Sequence, residues 1–387
     1  MRRILQKILL GVLCISVTGL VGCGQFFPPI TTTCTTNCPS TADYLYVANQ
    51  SATAAGVAGF QISSATLSAV TGSPYPLSIL PSALAVNPAN TFLYVGSEDG
   101  LIYLYGINSD GSLTLENNGT GVASINVVSL QVDSTGGWLL VASPGALQTA
   151  VPTLTAFSIN PTTGLLTAAT PGAITLNGGV GTATQLVMTS NNASNDAYAY
   201  VSLGTAGVEV VTFSSTDGTL TDSGNLATKG GQDADVGLAM NPDAGYLFAT
   251  ETGISSLRVL AIGASGSLTE VAGSPFATGQ GPSSVLVDAT GSYVYVTNRT
   301  ANTISAFVLT NSGSLTPVTG SPFTTGTTPV AMAEDNSKTY IAVVCAGGAP
   351  DMQVFTLDAT TPGKLDPFTT AATGTDPAVA VAIATTH

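Results

Sequence analysis

The sequence predicts an all-β protein built as a ring of like four-stranded antiparallel sheets. Three observations carry that expectation. First, a short segment recurs seven times: an aromatic residue, alternating apolar residues, then a small polar end. Its copies begin at Tyr44, Phe92, Trp138, Tyr198, Tyr246, Tyr293 and Tyr340. Second, successive starts lie 46 to 48 residues apart, with one step of 60 between Trp138 and Tyr198. Third, only 8% of the 387 residues are charged while 44% are hydrophobic, so Gly, Thr, Ser and Ala solvate an alternating pattern of β type. Units of this length cannot bury a face alone and must stack. Four strands in each of seven units make a seven-bladed β-propeller.

The elements follow in chain order. Met1-Arg2-Arg3 and Lys7 precede an apolar run from Ile8 to Val21, the charge and hydropathy pattern of an export signal. The run is shorter than a membrane-spanning helix requires. Its end, Leu20-Val21-Gly22-Cys23, resembles a bacterial lipobox. Residues 1–22 are therefore expected to be a lipoprotein signal, with Cys23 lipidated. Acyl chains on Cys23 would hold the protein to a membrane without a spanning segment. Residues 23–43 read as a Thr-rich linker. Within it Cys34 and Cys38 are spaced for a local disulfide, the default pairing in an exported protein. A metal is disfavoured there, because two thiols cannot fill four positions.

The ring is expected over residues 44–387. Each unit opens with a run of small apolar residues ending in Asn or Asp, as in Leu84-Ala85-Val86-Asn87 and Leu286-Val287-Asp288. A turn follows (Asn87-Pro88-Ala89-Asn90, Asp288-Ala289-Thr290-Gly291), in which the Asx side chain accepts a backbone N–H. Next come the aromatic strand, a polar loop and a third strand such as Thr303–Val308. A second turn of the form Asp110-Gly111-Ser112-Leu113 leads to the fourth. Gly-Ser-Pro-aromatic segments at Gly72, Gly273 and Gly320 are expected to end the outer strand, since Pro cannot donate to a ladder. The aromatic strand from Tyr44 has no small-apolar strand before it, and Ala378–Ile383 is such a strand with nothing after it. The two ends are expected to complete one blade and close the ring.

Composition excludes several partners. Loss of Arg2, Arg3 and Lys7 with the signal would leave five basic residues against 22 acidic ones, a net charge of −17. Nucleic acid is excluded, because phosphate contacts need clustered Lys and Arg. Attachment through a polybasic patch is excluded on the same ground.

Tyr295-Val296-Thr297-Asn298, the Asx-Pro turns and the Gly-Ser-Pro-Phe segments make the chain resemble the YVTN-type β-propellers. These are grouped with the lactonase-like propellers related to 6-phosphogluconolactonase. The resemblance spans nearly all of residues 44–384. It implies the propeller fold and raises hydrolysis of a sugar lactone as an activity. That chemistry needs a base to activate water and cations to hold an anionic substrate. The chain has one histidine, His387 at the end, and no catalytic residue transfers onto a position here. Of the mature basic residues, Arg299 and Lys229 sit in loops on the side where propellers take ligands. Arg258 lies on a third strand, and Lys338 and Lys364 lie in turns on the other side.

The loops of the ligand side are acidic. Glu98 and Asp99 follow the second aromatic strand and Glu251 the fifth, while Asp222, Asp233 and Asp235 are read as a blade connection. Glu98, Asp99, Asp233, Asp235, Glu251 and Arg299 form the candidate ligand or cation face. Solvation of exposed loops is the plain reading of these carboxylates; Ca²⁺ is the alternative, with Asp233-Ala234-Asp235 a fragment of a hard-cation loop. No other cofactor is expected. The longest repeat step places extra loop at residues 144–152 and 189–196. The sequence alone thus favours a monomeric, exported binding or scaffold propeller for a protein or glycan ligand. It would be lipid-anchored at a bacterial cell envelope, with outer-membrane sorting compatible with Gly24. Lactone hydrolysis is the alternative.

Overall fold

The computed structural model describes residues 43–385 apart from 51–54, 64–65, 145–150, 193, 195, 229–234, 349 and 374–377. It contains seven antiparallel sheets, and each has the same meander of four strands. In chain order the first complete blade is blade 2: Pro81–Val86, Phe92–Ser97, Ile102–Ile107 and Leu113–Leu115. The remaining aromatic, second strands are Trp138–Ser143 (blade 3), Asp196–Ser202 (blade 4), Tyr246–Glu251 (blade 5), Tyr293–Asn298 (blade 6) and Tyr340–Gly347 (blade 7). Blade 1 uses both chain ends: Asp43–Asn49 pairs Gly56–Ser63 on one side and Ala378–Thr385 on the other. The expected closure is what the structure shows.

Each first strand contacts the first strands of both neighbouring blades, so these strands form the inner wall of the ring. No hydrophobic cluster of the described residues fills the centre of the ring. Seven hydrophobic clusters lie between the blades instead, each drawn from two adjacent sheets. The recurring aromatics belong to these wedges. Tyr46, Tyr94, Tyr200 and Tyr295 are fully buried, and each burial contributes on the order of 2 kcal/mol. Their hydroxyls donate to the carbonyls of Gly111, Gly164, Gly266 and Gly363, each in the third-to-fourth turn of the next blade, at 2.8 to 3.1 Å. Those glycines have positive φ, and a Cβ on Gly363 would lie 2.2 Å from the Tyr293 ring. The blade-to-blade joint therefore needs glycine for both conformation and space.

The Asx residues close the first hairpins as the sequence suggests. Asn87, Asp133, Asn241, Asp288 and Asp335 accept the N–H of Phe92, Trp138, Tyr246, Tyr293 and Tyr340 at 2.6 to 2.9 Å. The Gly-Ser-Pro segments correct the expectation placed on them. The outer strand does not end at Pro: after the segment a two-residue strand (Tyr75–Pro76, Phe276–Ala277, Phe323–Thr324) pairs with the same third strand. At the interruption the Ser hydroxyl accepts the otherwise unpaired third-strand N–H: Gly59 to Ser73, Val259 to Ser274 and Ala306 to Ser321 at 2.8 to 3.1 Å.

Candidate functional site

The two hairpins of each blade point to opposite faces of the ring. The first-to-second and third-to-fourth turns lie on one face. The second-to-third loops and the connections between blades lie on the other, called here the loop face. Glu98, Asp99, Glu251 and Arg299 all fall at loop-face ends of second strands, in blades 2, 5 and 6.

The structure divides this set. Glu98 and Asp99 are exposed; the Asp99 carboxylate accepts the Leu80 N–H at 3.4 Å and its N–H donates to the Ser97 hydroxyl at 2.9 Å. Arg299 is exposed on the same rim, with its N–H donated to the Gly281 carbonyl at 2.7 Å. Glu251 is not a solvated loop residue. It ends the second strand of blade 5, is 0% exposed, and lies 3.5 Å from Nε of Arg258. Burial is possible because the third-strand guanidinium supplies the opposite charge. Arg258 also donates to the Ala227 carbonyl at 3.2 Å and lies 3.9 Å from Glu270. Asp235 opens the first strand of blade 5 opposite Glu251, and Asp222 belongs to the outer strand Leu220–Leu226, not to a connection. Lys338 and Lys364 are in turns of the opposite face, where Lys364 pairs with Asp358 and Asp366.

Cys23, Cys34, Cys38, Asp233, Lys229 and His387 lie outside the described residues. Among the described residues no group of three or more His, Cys, Asp and Glu side chains is placed to hold a metal ion. No described helix is long and apolar enough to cross a membrane.

Two positions per blade build the loop face from within. One is the sixth residue of the aromatic segment: Asn49, Ser97, Ser143, Leu203, Glu251, Asn298 and Cys345, all buried. The second is the third-strand residue opposite the fourth: Ala58, Tyr103, Thr155, Glu209, Arg258, Ser305 and Gln353. These side chains meet the segment arriving from the preceding blade. Tyr103 bonds Ser78 at 3.2 Å, Glu209 accepts the Asn177 N–H at 3.0 Å, and Ser305 accepts the Gly279 N–H at 3.1 Å. Burial and the nearby Asp222 carboxylate raise the pKa of Glu209. Burial likewise pushes the Cys345 thiol up to about 11, so it is neither thiolate nor nucleophile at neutral pH. At the closing blade Asn49 donates to Thr373 at 2.7 Å, and the Thr373 N–H donates to the buried Asp351 at 2.7 Å.

The third-strand ring escaped the reading of the sequence. Its identities differ from blade to blade, so no repeat flags it; the cross-strand register does. Chemically, the rim offers exposed carboxylates on blade 2, an exposed guanidinium on blade 6, and many hydroxyls between them.

A family model described as "Lactonase, 7-bladed beta-propeller" matches residues 45–382. Among solved structures, a protein of Bacteroides uniformis provisionally described as a 6-phosphogluconolactonase superimposes with a TM-score of 0.72 at 15% identity, covering 89% of this chain and 100% of that one. The periplasmic gluconolactonase of Pseudomonas aeruginosa gives 0.71 at 16% identity, covering 90% and 100%. A protein of Lactobacillus plantarum gives 0.70 at 20% identity, covering 89% and 99%. At these identities the structures share the fold. No curated protein matches the chain by sequence.

Proposed function

The chain belongs to the seven-bladed β-propeller lactonase family, and from that premise we propose that it hydrolyses a sugar lactone at the loop-face mouth of the ring. The observation that carries this reading is the family match, which runs through every blade from residue 45 to residue 382. The solved neighbours described as 6-phosphogluconolactonase and gluconolactonase agree with it.

The chemistry asked of the site is modest. A lactone is an activated ester, so a positioned base and a few hydrogen-bond donors suffice. Asp99 is the candidate base: its carboxylate removes a proton from water as the oxygen attacks the ring carbonyl carbon. The carbonyl re-forms as the ring C–O bond breaks, and the leaving alkoxide takes the proton back from Asp99. Arg299 is the candidate anchor for an anionic or hydroxyl-rich substituent. A second reading, lactone or sugar binding without turnover, is favoured by one observation: the Asp99 carboxylate accepts the Leu80 N–H and no hydroxyl of the described residues. Export and anchoring through Cys23 would place either activity at the envelope.

Acid release from glucono-δ-lactone and its 6-phosphate by the purified mature protein, followed by pH-stat, tests the proposal. The expected result is acceleration over the uncatalysed rate that falls at least tenfold in Asp99→Asn and Arg299→Ala. Thermal stabilisation by the lactones with no acceleration selects the binding reading. Neither acceleration nor stabilisation overturns both.

A further inference from the structure

The third-strand position that meets the incoming connection is buried in blades 1 to 6. Blade 7 departs from this pattern. Gln353 is only half-buried, and in front of it opens a cavity of about 290 Å³ between the blade 6 connection and the face of blade 7. Where blade 5 has the Glu251–Arg258 pair and blade 6 has Asn298 bonded to Ser305 at 3.0 Å, blade 7 has the buried Cys345 and the half-buried Gln353.

The cavity wall is fixed in shape. Asn302, from the same blade 6 loop as Arg299, accepts the Thr325 N–H with its carbonyl at 3.0 Å and the Thr328 N–H with its side chain at 2.7 Å. At Gly326 the connection passes so close to the buried Cys345 that an added Cβ would lie 3.0 Å from Sγ. The lining supplies the Gln353 carboxamide, the hydroxyls of Thr325, Thr327 and Thr370, and glycine backbone at 347 and 348. Among the described residues the lining contains no charged side chain. Hydroxyl and carboxamide groups both donate and accept, which suits a ligand made of hydroxyls. An anion would find no cation among the described lining residues. The volume holds roughly nine waters at ~30 Å³ each, room for one sugar ring and not for a chain of them.

We propose that this cavity is a binding site for one neutral monosaccharide or polyol, held by the Gln353 carboxamide and the Thr327 and Thr370 hydroxyls. The site is separate from the Asp99 rim and stands whether or not the ring hydrolyses a lactone.

Saturation-transfer NMR on the mature protein with D-glucose and D-glucitol tests it, with titrations to obtain Kd. Saturable binding is expected. Gln353→Leu and Thr370→Val should each raise Kd at least fivefold while the amide spectrum stays folded, and Lys364→Ala, in a turn of the opposite face, should leave Kd unchanged. The proposal is overturned if neither polyol binds saturably, or if both bind equally well to the folded Gln353→Leu and Thr370→Val variants. Lactone turnover measured on the same variants reports on the Asp99 rim alone.

Discussion

Asp43 holds its proton to a pH at which an ordinary aspartate has long lost it. Burial pushes its pKa up to about 7, and the Asp335 carboxylate across the blade 7–blade 1 joint adds to the rise. Burial also lifts Glu334 to about 7, with Asp288 and Asp335 contributing against Lys338. Both carboxyls bind protons more tightly in the folded than in the unfolded chain. Their contribution is complete below the unfolded pKa near 4 and is lost as pH rises through about 7. Thermal melts from pH 4 to 8 should therefore show Tm falling with rising pH and levelling above about 7. Asp335→Asn should flatten that slope without breaking the turn, since Asn87 and Asn241 cap the same position in blades 2 and 5. An unchanged slope would show that Asp335 does not couple to Asp43. The capping role of Asp335 was legible, because Asx recurs at one place in the repeat. Its second role was not, because Asp43 lies far off in sequence and meets it only when the ring closes.

At the scale of the element, the Gly-Ser-Pro segment shows where periodicity stops informing. Proline announces an interruption, and the sequence reading took it for an end. The resumption is two residues long, too short to show alternation, and is recognisable only by its pairing. What makes it workable is the serine hydroxyl standing in for a ladder carbonyl. Ser274→Ala should leave the buried Val259 N–H without its partner and lower stability by about 1–3 kcal/mol. Ser274→Thr, which keeps the hydroxyl, should recover most of that. Chemical denaturation of the two variants checks it, and equal stabilities would assign the loss to packing. Glu251 teaches a similar lesson. Its position at a strand end read as solvated loop, and only the cross-strand register shows that Arg258 stands where it can accompany the charge into the interior.

At the scale of the whole molecule, the number of blades was readable because six of the seven blades repeat the same joint: an aromatic ring against a turn glycine of the next blade. The candidate site was less readable for the same reason. A repeat exposes what the blades share, whereas Asp99, Arg299 and the Gln353 cavity are features of single blades. The anchor is a whole-molecule prediction as well. Cys23→Ser should shift the protein from the membrane to the soluble fraction of fractionated cells; unchanged membrane association would refute lipidation.

The pairing of Ala378–Thr385 with Asp43–Asn49 has a consequence in time. Chains emerge N-terminus first, so the strand that completes the first blade is made after every other described strand. Asn49 waits for Thr373, 324 residues downstream. Until then blade 1 holds three of its four strands, although both walls of the blade 7–blade 1 wedge are already made. A chain that stops before Ala378 leaves the inner edge of Asp43–Asn49 unpaired and open to another strand.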